Sequence, residues 1–307
     1  MDTTGAKTTW LEELWPRLAS ASGVGYLATA YLVSRWLTRR SSADLAAPTS
    51  LAGLRILPLT IETSDDVMLR GWCVEPERPR ATIALFHGMR QNRAAMLERI
   101  DFLSAVGYRC IAFDHRAHGE SSGRFTSFGY HERHDVEAVA ELIHTHWPNE
   151  PCAALGASMG AAAICFAGER AHAFDALILE SLYHDLARAF QHRVGSGYPS
   201  WFWHFRRGII WFTERRLGAR IGDVAPVSQI ARLAPRPVLL ITGSDDPHAP
   251  PHEARALADQ IPEFSQLHVV SSADHHNVCE QGGQAYRLLL FDFLESRLFH
   301  ASPRLAA

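Results

Sequence analysis

The chain has 307 residues, 47% of them hydrophobic, and a formal net charge of -3, with a pI near 6.6. It is long enough to bury a full core, and its near-neutral balance exerts no global pull on nucleic acid or other polyanions. Of its five cysteines, Cys73, Cys110, Cys152 and Cys165 lie in apolar runs. They read as buried free thiols rather than a disulfide framework, and no C-x-x-C pair supports a structural zinc.

The N-terminal segment differs from the rest. Thr9-Trp10-Leu11-Glu12 has the spacing of a helix-capping box. From Leu18 to Ser34 there is no charge, and Arg35, Arg39 and Arg40 follow, with Trp10, Trp15 and Trp36 flanking the run. Two readings are open. Residues 10–38 could anchor the chain in a membrane, at the short limit for a span, with the arginines holding the main domain on the cytoplasmic side. Alternatively, they form a helix lying on the main domain of a soluble cytoplasmic protein. Glu12 and Glu13 argue against a secretory leader. Residues 41–53 read as a linker, so that 1–53 form an N-terminal segment apart from the domain that follows.

From residue 54 the pattern changes. Arg55–Glu62 and Val67–Val74 alternate as a hairpin does, with Ser64-Asp65-Asp66 at the turn. Short apolar runs follow at Ala81–Phe86, Cys110–Phe113, Cys152–Leu155, Ala176–Leu179, Val238–Ile241 and Leu267–Val270, each with the length of a buried parallel strand. Helix-length segments separate them, among them Asn92–Val106, His131–His146 and Met159–Arg170. This alternation predicts an α/β fold, a mainly parallel sheet with helices on both faces, whose ligand-binding loops follow the carboxyl ends of the strands.

Those loops carry the chemistry. After Leu155 comes Gly156-Ala157-Ser158-Met159-Gly160, a serine at a sharp strand-to-helix turn where crowding demands small neighbours. After Ile241 come Asp245 and Asp246, and after Val270 come His275 and His276. A serine nucleophile needs a base, and the base needs a carboxylate to fix its tautomer. The residues alone leave either aspartate and either histidine open for these roles. After Phe86, His87-Gly88 can aim the backbone N–H of Met89 toward the same point as that of Met159, making an oxyanion hole.

Together these motifs resemble the α/β-hydrolase superfamily, most closely its lysophospholipase-like and esterase-like serine hydrolases, over roughly residues 54–297. "LRGWCV" (69–74) looks like the second strand of that family and "FHGMRQNR" (86–93) like its oxyanion loop. "FDHRAHGESSG" (113–123) resembles D-x-R-G-x-G-x-S-x-G with Ala117 in place of a glycine, and "FGYHERHDVEAV" (128–139) resembles G-Y-x-E-x-x-D. "VLLITGSDDPHAPP" (238–251) resembles the strand and loop that bring the acid, which the D-P step sets on Asp246. "ADHHNVCE" (273–280) resembles G-x-x-H-N, which sets the base on His276. The resemblance thus implies a Ser158–His276–Asp246 triad, oxyanion donors at Met89 and Met159, and no metal or organic cofactor.

Residues 181–230 form a long insertion before the strand at Val238, expected to be a helical cap, and 298–307 a C-terminal tail. Trp201, Trp203, Phe205 and Trp211 within the insertion are candidates to line an apolar acyl pocket. The expected partner is a small-molecule ester or acyl substrate, including thioesters and lysophospholipid-type acyl groups, with no nucleic acid. A serine peptidase or amidase on the same fold is the alternative, and so is a non-catalytic binding protein that kept the fold.

Overall fold

A computed structural model describes residues 9–41, 50–51, 53–197 and 202–299. Its elements in chain order are α1 (Thr9–Leu37), β1 (Ser50–Leu51), β2 (Leu54–Glu62), β3 (Met68–Val74), β4 (Thr82–Phe86), α2 (Leu97–Ala105), β5 (Arg109–Phe113) and α3 (Arg133–His146). Then follow β6 (Cys152–Ala157), α4 (Met159–Ala167), β7 (Ala176–Glu180), α5 (Leu186–Gly197), α6 (Phe202–Leu217), β8 (Val238–Gly243), α7 (Pro251–Ala258), β9 (Ser265–Val270) and α8 (Val278–Leu298). Most of the expected linker (42–49 and 52) and most of the expected tail (300–307) lie outside the described residues.

Among the described residues, one sheet runs β1-β2-β3-β5-β4-β6-β7-β8-β9. The β2–β3 hairpin and the β3–β5 pair are antiparallel, and every pair from β5–β4 to β8–β9 is parallel. The strand residues alternate between two cores. Ile83 and Leu85 pack with Ile100 and Leu103 of α2 and Leu290 of α8, whereas Ala84 and Phe86 pack with Val136, Val139 and Ile143 of α3 and Ala161 of α4. Period 2 in the strands meets spacings of three and four in α3, so both faces of the sheet are covered. Each large aliphatic buried this way contributes about 1.5–3 kcal/mol.

The chain changes direction at β4. It passes to β5 on one side and returns to β6 on the other, so the loops after β4 and β6 part at a topological switch point, where a crevice opens. Register keeps their starting points together, Phe86 opposite Gly156. Further along the edge Ala157 pairs with Glu180, and Gly243 with Val270.

The membrane-spanning alternative for α1 finds no support: no described helix is long and apolar enough to cross a membrane. Instead α1 lies along α6. Tyr26, Ala30 and Ser34, four residues apart, form one helix face, and each meets α6. Tyr26 stacks on Phe205 at 5.1 Å and its hydroxyl accepts from Gly208 N–H, while Ser34 accepts from the Thr213 hydroxyl at 3.2 Å. The small side chains of Ala30 and Ser34 meet Gly208 and Thr213 of α6 at this contact. All five cysteines are buried and free.

Candidate active site

Ser158 sits at the junction of β6 and α4 with φ 51° and ψ -108°, a backbone conformation that side chains other than hydrogen rarely adopt. The turn is crowded from both sides. A Cβ on Gly160 would lie 2.3 Å from the Phe86 carbonyl oxygen, and one on Gly156 would lie 2.5 Å from the Gly160 backbone. The two glycines thus let α4 start directly against the end of β4, with the serine lifted at the edge of the sheet.

Ser158 Oγ is 2.8 Å from His275 Nε2. On the other side of the ring, Nδ1 lies 2.9 and 2.8 Å from the two carboxylate oxygens of Asp246. A carboxylate can only accept, so Nδ1 carries the proton and Nε2 accepts from the serine hydroxyl. Asp246 is buried and also accepts from the backbone N–H groups of His248 and Ala249 at 2.8 and 2.9 Å. Burial pushes its carboxyl upward, but the bond and charge of His275 and the two amides outweigh it and leave it below the usual carboxylate range. Asp245 beside it is exposed and is bonded to the hydroxyl of Ser244.

The histidine against Ser158 is therefore His275, and this corrects the placement on His276. The loop after β9 is braced locally. Asp274 Oδ1 accepts from the backbone N–H groups of His276 and Asn277, and Asn277 Oδ1 accepts from Asp274 N–H. That brace sets Asp274 and His276 outward and His275 inward, so His275 is 7% exposed while His276 lies at the surface. The H-N step of the motif points to His276, and with the usual glycine missing it is the braced loop, not the motif, that turns His275 inward.

The loop after β4 is held by buried imidazoles. His87 Nδ1–H donates to the Gly88 carbonyl at 2.7 Å, and its Nε2 accepts from His115 N–H at 3.0 Å. His118 Nε2 accepts from Arg90 N–H at 3.2 Å, and Gln91 Oε1 accepts from Gly88 N–H at 3.0 Å. Burial, with His115 and His118 alongside, holds His87 well below the ordinary histidine range; burial also lowers His118. Both rings are neutral, as their acceptor roles require. Met89, between these fixed points, and Met159, at the first turn of α4, line the same cavity as Ser158 and His275. Met159 opens a helix, so its amide has no intrahelical partner.

That cavity, about 50 Å³, is apolar. Its further walls are Phe128, Tyr183, Leu186, Ala189 and Phe190, together with the imidazole-bearing His248. Tyr183 Oη–H donates to the Phe128 carbonyl at 2.6 Å and so ties two of the walls together. The aromatic residues proposed from the insertion are not these. Phe205 packs against Tyr26 of α1, and Trp211 is 47% exposed beside Phe212. Trp201 and the side chain of Trp203 lie outside the described residues. Phe205 and Phe212 of α6 pack on Tyr26 and Tyr31 of α1, and α5 supplies the pocket wall. The signal was present in the α5 sequence, where Leu186, Ala189 and Phe190 have the spacing of one helix face.

Comparisons with known proteins bear on the fold that carries this site. Residues 77–204 match a family model described as serine aminopeptidase, S33, and residues 219–298 match one described as TAP-like protein. The uncharacterized protein YqkD of Bacillus subtilis (strain 168) is 26% identical over 233 residues, 74% of this chain and 75% of that protein. The esterase Pf2001 of Pyrococcus furiosus superposes with a TM-score of 0.70 at 21% identity, over 85% of this chain and 99% of that one. An acylaminoacyl peptidase of Pyrococcus horikoshii gives 0.62 at 15% identity, covering 82% of this chain and 43% of the peptidase.

Proposed function

Because the chain belongs to the α/β-hydrolase superfamily, we propose that it is a serine hydrolase cleaving carboxylic esters, or thioesters, with an apolar acyl group. The observation that carries this reading is the continuous hydrogen-bonded line Asp246–His275–Ser158 beside the apolar cavity.

In this reading Ser158 Oγ attacks the acyl carbon and its proton passes to His275 Nε2. Asp246, kept ionised by its bond to His275 and by its amide donors, holds the ring in the right tautomer and stabilises the imidazolium. The oxyanion is received by the N–H groups of Met89 and Met159, a contribution worth ~10²–10³ in turnover for a single donor. The bond to the leaving oxygen breaks, and His275 returns the proton to that oxygen. Water then attacks the acyl-enzyme, gives its proton to His275, and the acid leaves as Ser158 regains its hydrogen. Helices α5 and α6 act as a cap, with α5 forming the wall over the acyl group.

A fluorophosphonate probe is expected to label the protein and to fail on Ser158→Ala, with turnover of short p-nitrophenyl esters lost in parallel. Folded wild-type protein that neither labels nor turns over esters overturns the reading. A peptidase or amidase is the second reading, favoured by the match to the serine aminopeptidase model. Matched ester and amide substrates with one acyl group separate the two, and faster amide turnover selects the second.

A further inference from the structure

Ser158 stands between two cavities of about 50 Å³ each, and they differ in chemistry. The second lies between α2, the end of β7 and the start of α8. It is reached from Ser158 and His275, and its walls include Gln91, Arg99, Glu180 and Ser181. None of these polar groups has a part in the triad or the acyl pocket.

Ser181 is the telling residue. It is 2% exposed, and its hydroxyl has no hydrogen-bond partner among the described residues. A buried hydroxyl without a partner is costly, and an apolar side chain of similar size avoids that cost. Beside it, Arg99 turns Nε and Nη2 onto the Glu180 carboxylate, at 3.1 and 2.5 Å, and Tyr286 Oη–H also donates to Glu180. The guanidinium charge is therefore matched at contact distance, while Nη1 stays outside these bonds. Gln91 uses its Oε1 on Gly88 N–H, which leaves its amide NH₂ as a donor.

We propose that this cavity is the leaving-group subsite, and that it selects an uncharged alcohol bearing a second oxygen, such as a hydroxyl. This rests on the ester-hydrolase reading above. Not used in the bonds named above are the Ser181 hydroxyl, the Gln91 amide and Arg99 Nη1, donors in a site of balanced charge whose wall also includes His276. They suit a hydroxyl or ether oxygen. A phosphate or carboxylate would have to compete with Glu180 for Arg99 and sit beside its carboxylate, at an electrostatic loss. The volume admits only a few heavy atoms. The bond broken is the one between the acyl carbon and this alcohol's oxygen, and the alcohol leaves with the proton from His275.

Three hexanoate esters test the assignment, those of ethanol, ethylene glycol and phosphoethanol. All form the same acyl-enzyme, so differences in kcat/KM report acylation alone. The glycol ester is expected to exceed the ethyl ester about tenfold and the phosphorylated ester by more, and Ser181→Ala to bring the glycol-to-ethyl ratio near one. Ser181→Gly, which suits the positive φ of 49° at this position, removes the same hydroxyl if the alanine variant does not fold. Equal rates on the glycol and ethyl esters, a preference for the phosphorylated ester, or a ratio kept without the hydroxyl overturns the subsite. No turnover of any ester and no fluorophosphonate labelling overturns the hydrolase reading and the subsite with it, a result distinct from turnover without selectivity.

Discussion

His275 and His276 are neighbours in the chain, with rings 5.0 Å apart and 88° to one another, and it is His275 that bonds to Asp246 and Ser158. The difference follows from the Asp274–Asn277 brace, which commits the loop to one register.

It gives the first prediction. His275→Ala is expected to lower kcat/KM on p-nitrophenyl esters by ~10³-fold or more, and His276→Ala by less than about tenfold. Steady-state kinetics on both variants decide it, and the reverse ranking would falsify the assignment of the base.

Ser158 stores backbone strain that its function requires. Ser158→Gly and Ser158→Ala both lose the hydroxyl, but glycine suits φ 51° and ψ -108° and alanine does not. The glycine variant should be the more stable of the two by about 1–3 kcal/mol in urea unfolding. Equal midpoints would mean that the turn relaxes around any residue.

The buried imidazoles predict an acid sensitivity of stability. His87 and His118 are lowered in the folded chain, whereas in the unfolded chain a histidine titrates near ~6.5. Below that pH the unfolded state binds protons that the folded state refuses. This part of the stability is therefore complete above about pH 6.5 and is lost as the pH falls toward the folded values. Between pH 7 and 5.5 the unfolding free energy should therefore fall. Urea midpoints measured across that window test it, and a flat or rising stability toward acid contradicts it.

The contact between α1 and α6 depends on the absence of a side chain. A Cβ at Gly208 would lie 2.7 Å from Ala30 Cβ and 3.0 Å from the Tyr26 ring. Gly208→Val is expected to destabilise the protein by about 1–3 kcal/mol and to speed tryptic cleavage at Arg35, Arg39 or Arg40. Unchanged Tm and unchanged cleavage would show that α1 rides on α6 without close packing.

Local rules settled much of this protein from sequence. The runs Ala81–Phe86 and Val238–Ile241, observed as strands at Thr82–Phe86 and Val238–Gly243, were legible because a buried parallel strand is a continuous apolar run. The serine turn was legible because its glycines answer to crowding within a few residues. Three things needed the folded chain. Which of two adjacent histidines faces the serine depends on how one braced loop meets another strand. Which aromatic residues line the cavity depends on α6 being occupied by α1, a segment about 180 residues away in sequence. The pairing of Arg99 with Glu180, and the unpartnered Ser181 beside them, joins groups from α2 and from the end of β7. Periodicity and turn chemistry act between near neighbours and are written in the sequence, whereas orientation and partner choice are fixed by contacts that only the closed sheet and its packed helices create.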